Sequence, residues 1–267
     1  MGQLEGRVAL VTGASRGIGA AIAAAMAGEG AAVVVTARST DEAPRKLPGT
    51  LDETAAAITA RGGAVLAVAA DLTDATDRER IVATAVERFG RVDILVNNAA
   101  TTFFVPGAEL PQRRARLMFD VQVMAPLHLS QLVLPGMKER GAGWILNISS
   151  LEAGAPAVPP SRFDALGTTT VYGMCKAALE RMTGGLAAEG FGHGVSVTGL
   201  RPGGIVPTPG LVFHGVMEPD DPAAEDPQLM ARAAVRLCSA PAAVYSGHVY
   251  ESTALAGMPG DVVESRT

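Results

Sequence analysis

The stretch Val11-Thr12-Gly13-Ala14-Ser15-Arg16-Gly17-Ile18-Gly19 decides how the rest of the chain is read. It follows the short β-like run Val8-Ala9-Leu10-Val11 and leads into a helical stretch over residues 18–28. A strand that turns into a helix through glycines lets the backbone approach a pyrophosphate. The phosphate then sits at the helix N-terminus, where N–H groups are free and the dipole is positive. The spacing is G-x-x-x-G-x-G, not the G-x-G-x-x-G usually associated with dinucleotides. A tight turn without a ligand also uses glycines, so the weight of this one comes from its surroundings.

Outward from the turn the pattern is regular. Apolar runs at Ala32–Val35, Val65–Val68 and Ile94–Val96 alternate with helical stretches over 51–61 and 74–89. A helix is expected from Pro111 to Lys138, a strand at Trp144–Ile148, a helix from Val171 to Ala188, and strands at Val195–Thr198 and around His248–Tyr250. Short β-branched runs separated by helices specify βαβ units. The expected fold is an α/β, doubly wound (Rossmann) parallel sheet with helices on both faces. The 267 residues suit one such domain, and no linker or repeat divides them. Glu218 to Pro227, rich in proline and acid, reads as a mobile surface loop.

Composition narrows the function. A net charge of −5 argues against nucleic acid or an anionic membrane as partner. The first residues carry no basic or apolar leader, and no apolar run of membrane-spanning length escapes polar interruption. Two cysteines, Cys175 and Cys238, make no disulfide framework, so a reducing cytoplasmic setting is expected. The four histidines are scattered without metal-ligand spacing, so no metal is expected.

Further motifs follow in order. Asp71-Leu72 comes after the third strand, then Asn97-Asn98-Ala99-Ala100, Asn147-Ile148-Ser149-Ser150, Tyr172-Gly173-Met174-Cys175-Lys176 and Pro202-Gly203. Together with the glycine turn they resemble the motifs of the short-chain dehydrogenase/reductase family across nearly the whole chain. The resemblance implies hydride exchange between an alcohol or carbonyl and a nicotinamide cofactor. It places the cofactor on Gly13, Ser15, Arg16, Gly17, Ile18 and Gly19, on Asp71, Leu72, Asn98 and Ala99, and on Pro202, Gly203 and Ile205, with Tyr172 and Lys176 also in contact. It implies that Ser150 holds the substrate oxygen, and a homodimer or homotetramer.

Tyr172 and Lys176 are four apart, so both lie on one helical face. A free tyrosine titrates near pH 10, and moving that by about three units takes roughly 4 kcal/mol. A neighbouring ammonium together with an oxidised nicotinamide supplies charge of the required sign. Tyr172 is then the acid/base at the substrate oxygen.

The chain departs from the family at several places. Ala100 replaces the last glycine of N-N-A-G, and no D-G-G ending follows Glu251. The helical asparagine that helps a water chain to the lysine falls at Gln122, which keeps the amide but adds a methylene. The Ser150–Tyr172 interval is longer than usual and carries Pro156, Pro159-Pro160, Arg162 and Phe163, a segment expected to wall the substrate pocket. Residues 205–226, with the apolar portion Leu211–Met217, are expected to form a closing lid. Lys46–Thr50 resembles a stretch of some hydroxysteroid-dehydrogenase-like members.

An NAD enzyme of this fold needs an acid at the end of the second strand for the ribose 2′-OH, and none lies between Val33 and Thr40. Arg38, flanked by Arg16, suits a 2′-phosphate instead. NADP(H) is therefore expected over NAD(H), with a small, apolar carbonyl or alcohol as substrate. Two other readings remain. One is a 3-ketoacyl-carrier reductase using Arg113, Arg114 and Arg116 as a carrier patch. The other is a non-catalytic NADP(H)-binding sensor.

Overall fold

The computed structural model describes residues 2–42, 47–156, 159, 167–218 and 220–256. Its centre is one sheet of parallel strands: β1 (Val8–Thr12), β2 (Ala32–Ala37), β3 (Val65–Ala69), β4 (Ile94–Asn97), β5 (Gly143–Ile148), β6 (Val195–Arg201) and β7 (Val249–Glu251). The order across the sheet is β3-β2-β1-β4-β5-β6-β7. Side chains of successive strand residues point to opposite faces, and both faces are apolar here. Ala9, Val11, Val33, Val35, Ile94 and Val96 enter one core, while Leu10, Val34 and Leu95 enter the other.

Helices cover each face. On the first lie α1 (Gly17–Gly28), α2 (Leu51–Thr59) and α8 (Pro227–Ser239), through Ile22, Met26, Ile58, Met230 and Ala234. On the second lie α3 (Ala75–Phe89), α5 (Ala125–Arg140) and α6 (Thr170–Phe191), through Ile81, Leu129, Met137 and Leu186. The shorter α-helices are α4 (Gln112–Phe119), α7 (Pro209–Phe213), α9 (Ala242–Tyr245) and α10 (Ser252–Ala256). The expected doubly wound sheet is thus observed.

Three features differ from the expectation. The single helix expected from Pro111 to Lys138 is α4 and α5 joined through a π-helical turn, Asp120–Met124. The run Gln112–Arg140 is nevertheless long and apolar enough to cross a membrane, with a mean hydropathy of 1.3. Leu129, Val133 and Met137 on it are at most 4% exposed, so its apolar face belongs to the core. Helix α8 was not foreseen, although Asp226 caps it by accepting from Gln228 N at 2.8 Å and Pro227 opens it. The loop expected from Glu218 to Pro227 ends at a buried acid, Glu225, which is 6% exposed. It is held by polar bonds that no local pattern announces.

Candidate functional site

Strand β1 lies between β2 and β4, whose connections leave for opposite faces of the sheet. At such a switch point the loops diverge and leave a crevice beyond the carboxyl ends of the strands. A cleft of about 790 Å³ opens there.

Its floor is built by hydrogen bonds between β1 and β4. Thr12 Oγ1 donates to Val96 O at 3.1 Å and accepts from Asn98 N at 3.0 Å and Ala99 N at 3.1 Å. Asn98 Nδ2 returns to Thr12 O at 2.8 Å. Gly13 and Gly19 leave no room for a side chain. A Cβ on Gly13, where φ is +65°, would stand 2.8 Å from Ala99 Cα. One on Gly19 would stand 2.4 Å from Asn98 Nδ2 and 2.5 Å from Gly13 O. Below, Asn97 Nδ2 donates to Asn147 Oδ1 and Asn147 Nδ2 to Thr183 Oγ1, both at 2.9 Å, tying β4 and β5 to α6.

Of the residues expected to hold a cofactor, Gly13, Ser15, Arg16, Gly17, Ile18 and Gly19 line the cleft. So do Arg38, Asp71, Leu72, Asn98 and Ala99 at one end, and Tyr172, Lys176, Pro202 and Ile205 at the other. Gly203 does not face the cleft. Its N–H is spent on Glu225 Oε2 at 2.7 Å, and its Cα packs against Thr253.

The two arginines differ. Arg38 is half exposed and faces Asp71 at 3.8 Å, a spacing worth little in water. Arg16 is fixed: Nε donates to Ser15 Oγ at 3.2 Å and Nη2 to Ser39 Oγ at 2.6 Å, while Nη1 is buried without a partner among the described residues. Burial pulls its pKa below the usual guanidinium range. Gly49 packs on this side chain, since a Cβ there would lie 2.9 Å from Arg16 Cβ. The 41–50 loop is closed by Thr50 Oγ1 on Asp41 Oδ1 at 2.6 Å and Leu51 N on Ser39 O at 2.9 Å. Lys46 lies outside the described residues.

At the other end β5 and α6 bring Ser150, Tyr172 and Lys176 together. Burial pushes the Tyr172 phenol up to about 12, opposed by a hydrogen bond with Ser150 and reinforced by the charge of Glu152. Lys176 is 3% exposed, and burial pulls it down to about 8. Its Nζ donates to Ile148 O at 2.8 Å and lies 5.5 Å from the Tyr172 ring centre. Gly173 makes this assembly possible: a Cβ there would stand 2.5 Å from Glu152 O. Ser149 also borders the cleft, but its hydroxyl is spent on Glu180 Oε1 at 2.6 Å. Gln122 is 1% exposed and sits on the π turn, not on the cleft wall. Its Nε2 donates to Thr101 O at 3.0 Å, while Oε1 is buried without a described partner.

In the 205–226 segment, Leu211, His214 and Val216 face the cleft. Phe213 is 59% exposed and packs edge-on against His214, which also meets Phe104 at 5.1 Å. Phe163 and Arg162, expected in the pocket wall, lie outside the described residues. Sequence reading missed Glu225, which closes the neck of that segment. Oε2 accepts from Gly203 N at 2.7 Å and Gly204 N at 2.9 Å, and Oε1 accepts from Ser252 Oγ. Glu225 N donates to Ile205 O at 2.8 Å. An acid just before a helix cap and proline was the available signal.

Comparison with known proteins agrees with this geometry. The chain is 39% identical over 206 residues to an uncharacterized oxidoreductase of Methylorubrum extorquens, covering 77% of this chain and 76% of that one. It is 34% identical over 219 residues to hydroxysteroid dehydrogenase-like protein 2 of Danio rerio, covering 81% of this chain but spanning only 50% of that relative. A metagenomic short-chain oxidoreductase, solved in complex with NADP, superposes with a TM-score of 0.75 at 29% identity, covering 93% and 98% of the two chains. Residues 7–212 match the short chain dehydrogenase family, and with the glycine turn, the Ser150–Tyr172–Lys176 cluster and the sheet order in place, the chain belongs to that family of oxidoreductases.

Proposed function

We propose that the chain is an NADP(H)-dependent oxidoreductase that interconverts an alcohol and a carbonyl, with Tyr172 as the acid/base. The observation that carries this reading is the meeting of Ser150 and Tyr172 beside buried Lys176 at one end of the crevice that the glycine turn opens. The residues fit a nicotinamide dinucleotide. The Cβ positions of Gly13 and Gly19 are filled by backbone and Asn98, so the cradle admits a close backbone approach and nothing bulkier. Arg16 Nη1 is a buried donor without a described partner, which suits the 2′-phosphate that distinguishes NADP(H). When bound, the cofactor supplies the hydride acceptor or donor and, when oxidised, a positive charge.

The chain's own residues do the rest. Ser150 Oγ positions the substrate oxygen, and Tyr172 Oη gives a proton to it in reduction or takes one in oxidation. Lys176, anchored on Ile148 O, keeps a donor beside Tyr172. Gln122 offers its buried Oε1 to a proton relay toward Lys176. The substrate is small, and the apolar wall of Phe104, Leu151, Ile205, Leu211 and Val216 favours an apolar body. Free, buried Cys175 and Cys238 support a cytoplasmic setting, and the family likeness supports a homodimer or homotetramer.

A panel of alcohols and carbonyls, followed by the absorbance of the reduced nicotinamide, tests the reading with NADPH and NADH in parallel. The expected result is turnover of free carbonyls with preference for NADPH. Tight NADPH binding without turnover of anything would replace the enzyme by a sensor. Turnover of carrier-bound 3-ketoacyl groups alone would make it a carrier-linked reductase.

A further inference from the structure

The reacting end of the cleft carries a carboxylate that the proton-transfer chemistry leaves unused. Glu152 lies two residues after Ser150 on the 3-10 turn Leu151–Ala153, and it lines the cleft. Its backbone is fixed twice. Glu152 N donates to Ser150 Oγ at 3.3 Å, and Glu152 O sits so close over Gly173 that no side chain fits between them. The acid is therefore tied to Ser150 and to Gly173, the residue that follows Tyr172.

Its carboxylate makes no hydrogen bond or ion pair with any described residue. It is near enough to the Tyr172 hydroxyl for its charge to oppose ionisation of the phenol. The same cleft is lined by Leu151, Phe104, Ile205 and Leu211, with Thr208 and His214 among its polar lining residues. A carboxylate in the cleft that no described residue pairs is left free to accept a hydrogen bond from a bound molecule. It also works against negative charge on the substrate or on Tyr172. A ligand that brings a hydrogen-bond donor satisfies that acceptor and offsets its charge.

We propose that Glu152 is a specificity-determining residue that accepts a hydrogen bond from a hydroxyl or ammonium group carried by the substrate next to its reacting carbon. The preferred substrates are then α-hydroxy or α-amino carbonyls with an apolar body, and carbonyls bearing a carboxylate at that position are rejected. The assignment rests on the oxidoreductase reading above and specifies the substrate class for the same site.

Four compounds of matched shape test it: acetophenone, its α-hydroxy and α-amino derivatives, and benzoylformate. Initial rates are measured with NADPH for the full chain and for Glu152→Gln and Glu152→Leu. Wild type should prefer both donor-bearing ketones over acetophenone by about tenfold or more in kcat/KM, and acetophenone over benzoylformate by a similar factor. Glu152→Gln, which keeps an acceptor but no charge, should retain the α-hydroxy preference and lose the α-amino one. Glu152→Leu should lose both, and both variants should narrow the gap to benzoylformate. Equal kcat/KM for acetophenone and its donor-bearing derivatives, or ratios unchanged in both variants, would overturn the assignment. Calorimetric binding of the same compounds in the presence of NADPH separates the two layers. The predicted order in binding without turnover would keep Glu152 and remove the oxidoreductase reading, whereas turnover without the order would do the reverse.

Discussion

The two ends of the cleft are held in opposite ways. At the cofactor end Thr12, Asn98, Gly13 and Gly19 constrain one another through backbone bonds of 2.8–3.1 Å and through contacts a single methyl would break. At the substrate end α7 is five residues long, Ile205 is 45% exposed and Phe213 is 59% exposed. The lid is fastened mainly at its neck, by Glu225. The difference shows where rigidity is needed. A dinucleotide with fixed hydrogen-bonding edges is met by fixed backbone. The 205–226 segment, expected to close over substrate, is drawn from the weakly packed part of the molecule.

The largest expected effect lies where the ends meet. Tyr172→Phe should lower kcat by about two to four orders of magnitude with NADPH binding nearly unchanged. Steady-state rates and a cofactor titration on one preparation decide it, and a near-normal rate would remove Tyr172 from the chemistry. Because burial pushes the phenol up to about 12, the base needed for alcohol oxidation is scarce at neutral pH. Oxidation by wild type should therefore accelerate as pH rises above 7, and carbonyl reduction should not. A flat oxidation profile would contradict that assignment.

Next comes the cradle itself. Gly19→Ala forces a methyl against Asn98 Nδ2 and Gly13 O. It should cost about 3 kcal/mol of stability and at least tenfold in NADPH affinity, read by chemical denaturation and fluorescence titration. Arg16→Ala should weaken NADPH by about 1.5–3 kcal/mol and NADH little. An equal loss for both cofactors would mean that Arg16 supports the loop rather than a phosphate.

Smaller effects belong to the lid. Glu225→Gln leaves the shape but weakens the acceptor for Gly203 and Gly204, and should raise substrate KM several-fold at a stability cost of about 1 kcal/mol. Smallest of all is Gly210→Ala in α7. The nearest atom to the new methyl is Thr208 Oγ1 at 4.0 Å, so a gain of about 0.5 kcal/mol is expected. Were Gly210→Ala as damaging as Gly19→Ala in the same melts, the contrast between the two ends would collapse.

The same contrast explains what could be read from the chain alone. The glycine turn and the Tyr172–Lys176 pair were legible because their geometry is local: a strand-to-helix turn in one case, one helical face in the other. The sheet was legible because Val33, Val34 and Val35 must be apolar on both faces of a covered strand. Glu225 was not, because its partners Gly203 and Ser252 come from segments far along the chain. Glu152 was passed over because its importance lies in its nearness to Tyr172 across a long insertion. The outward placing of Phe213 was not legible, because apolar spacing in a five-residue helix does not say which side meets the cleft. The π turn at Gln122 left no trace in a helical pattern that continues through it.

Glu225 carries one further consequence. Its carboxylate and amide hold residues 203–205 and the C-terminal helix at a single knot, so the loop between begins and ends at nearly the same point. For a loop already closed at its base, added length costs little, only about 0.6 kcal/mol per doubling. The segment from Pro207 to Ala223, beyond the core residue Val206, is thus an interchangeable cartridge. It can be lengthened, shortened or replaced by the corresponding piece of a relative while the sheet, the glycine turn and Tyr172 stay in register, provided the acid that ties the knot is kept.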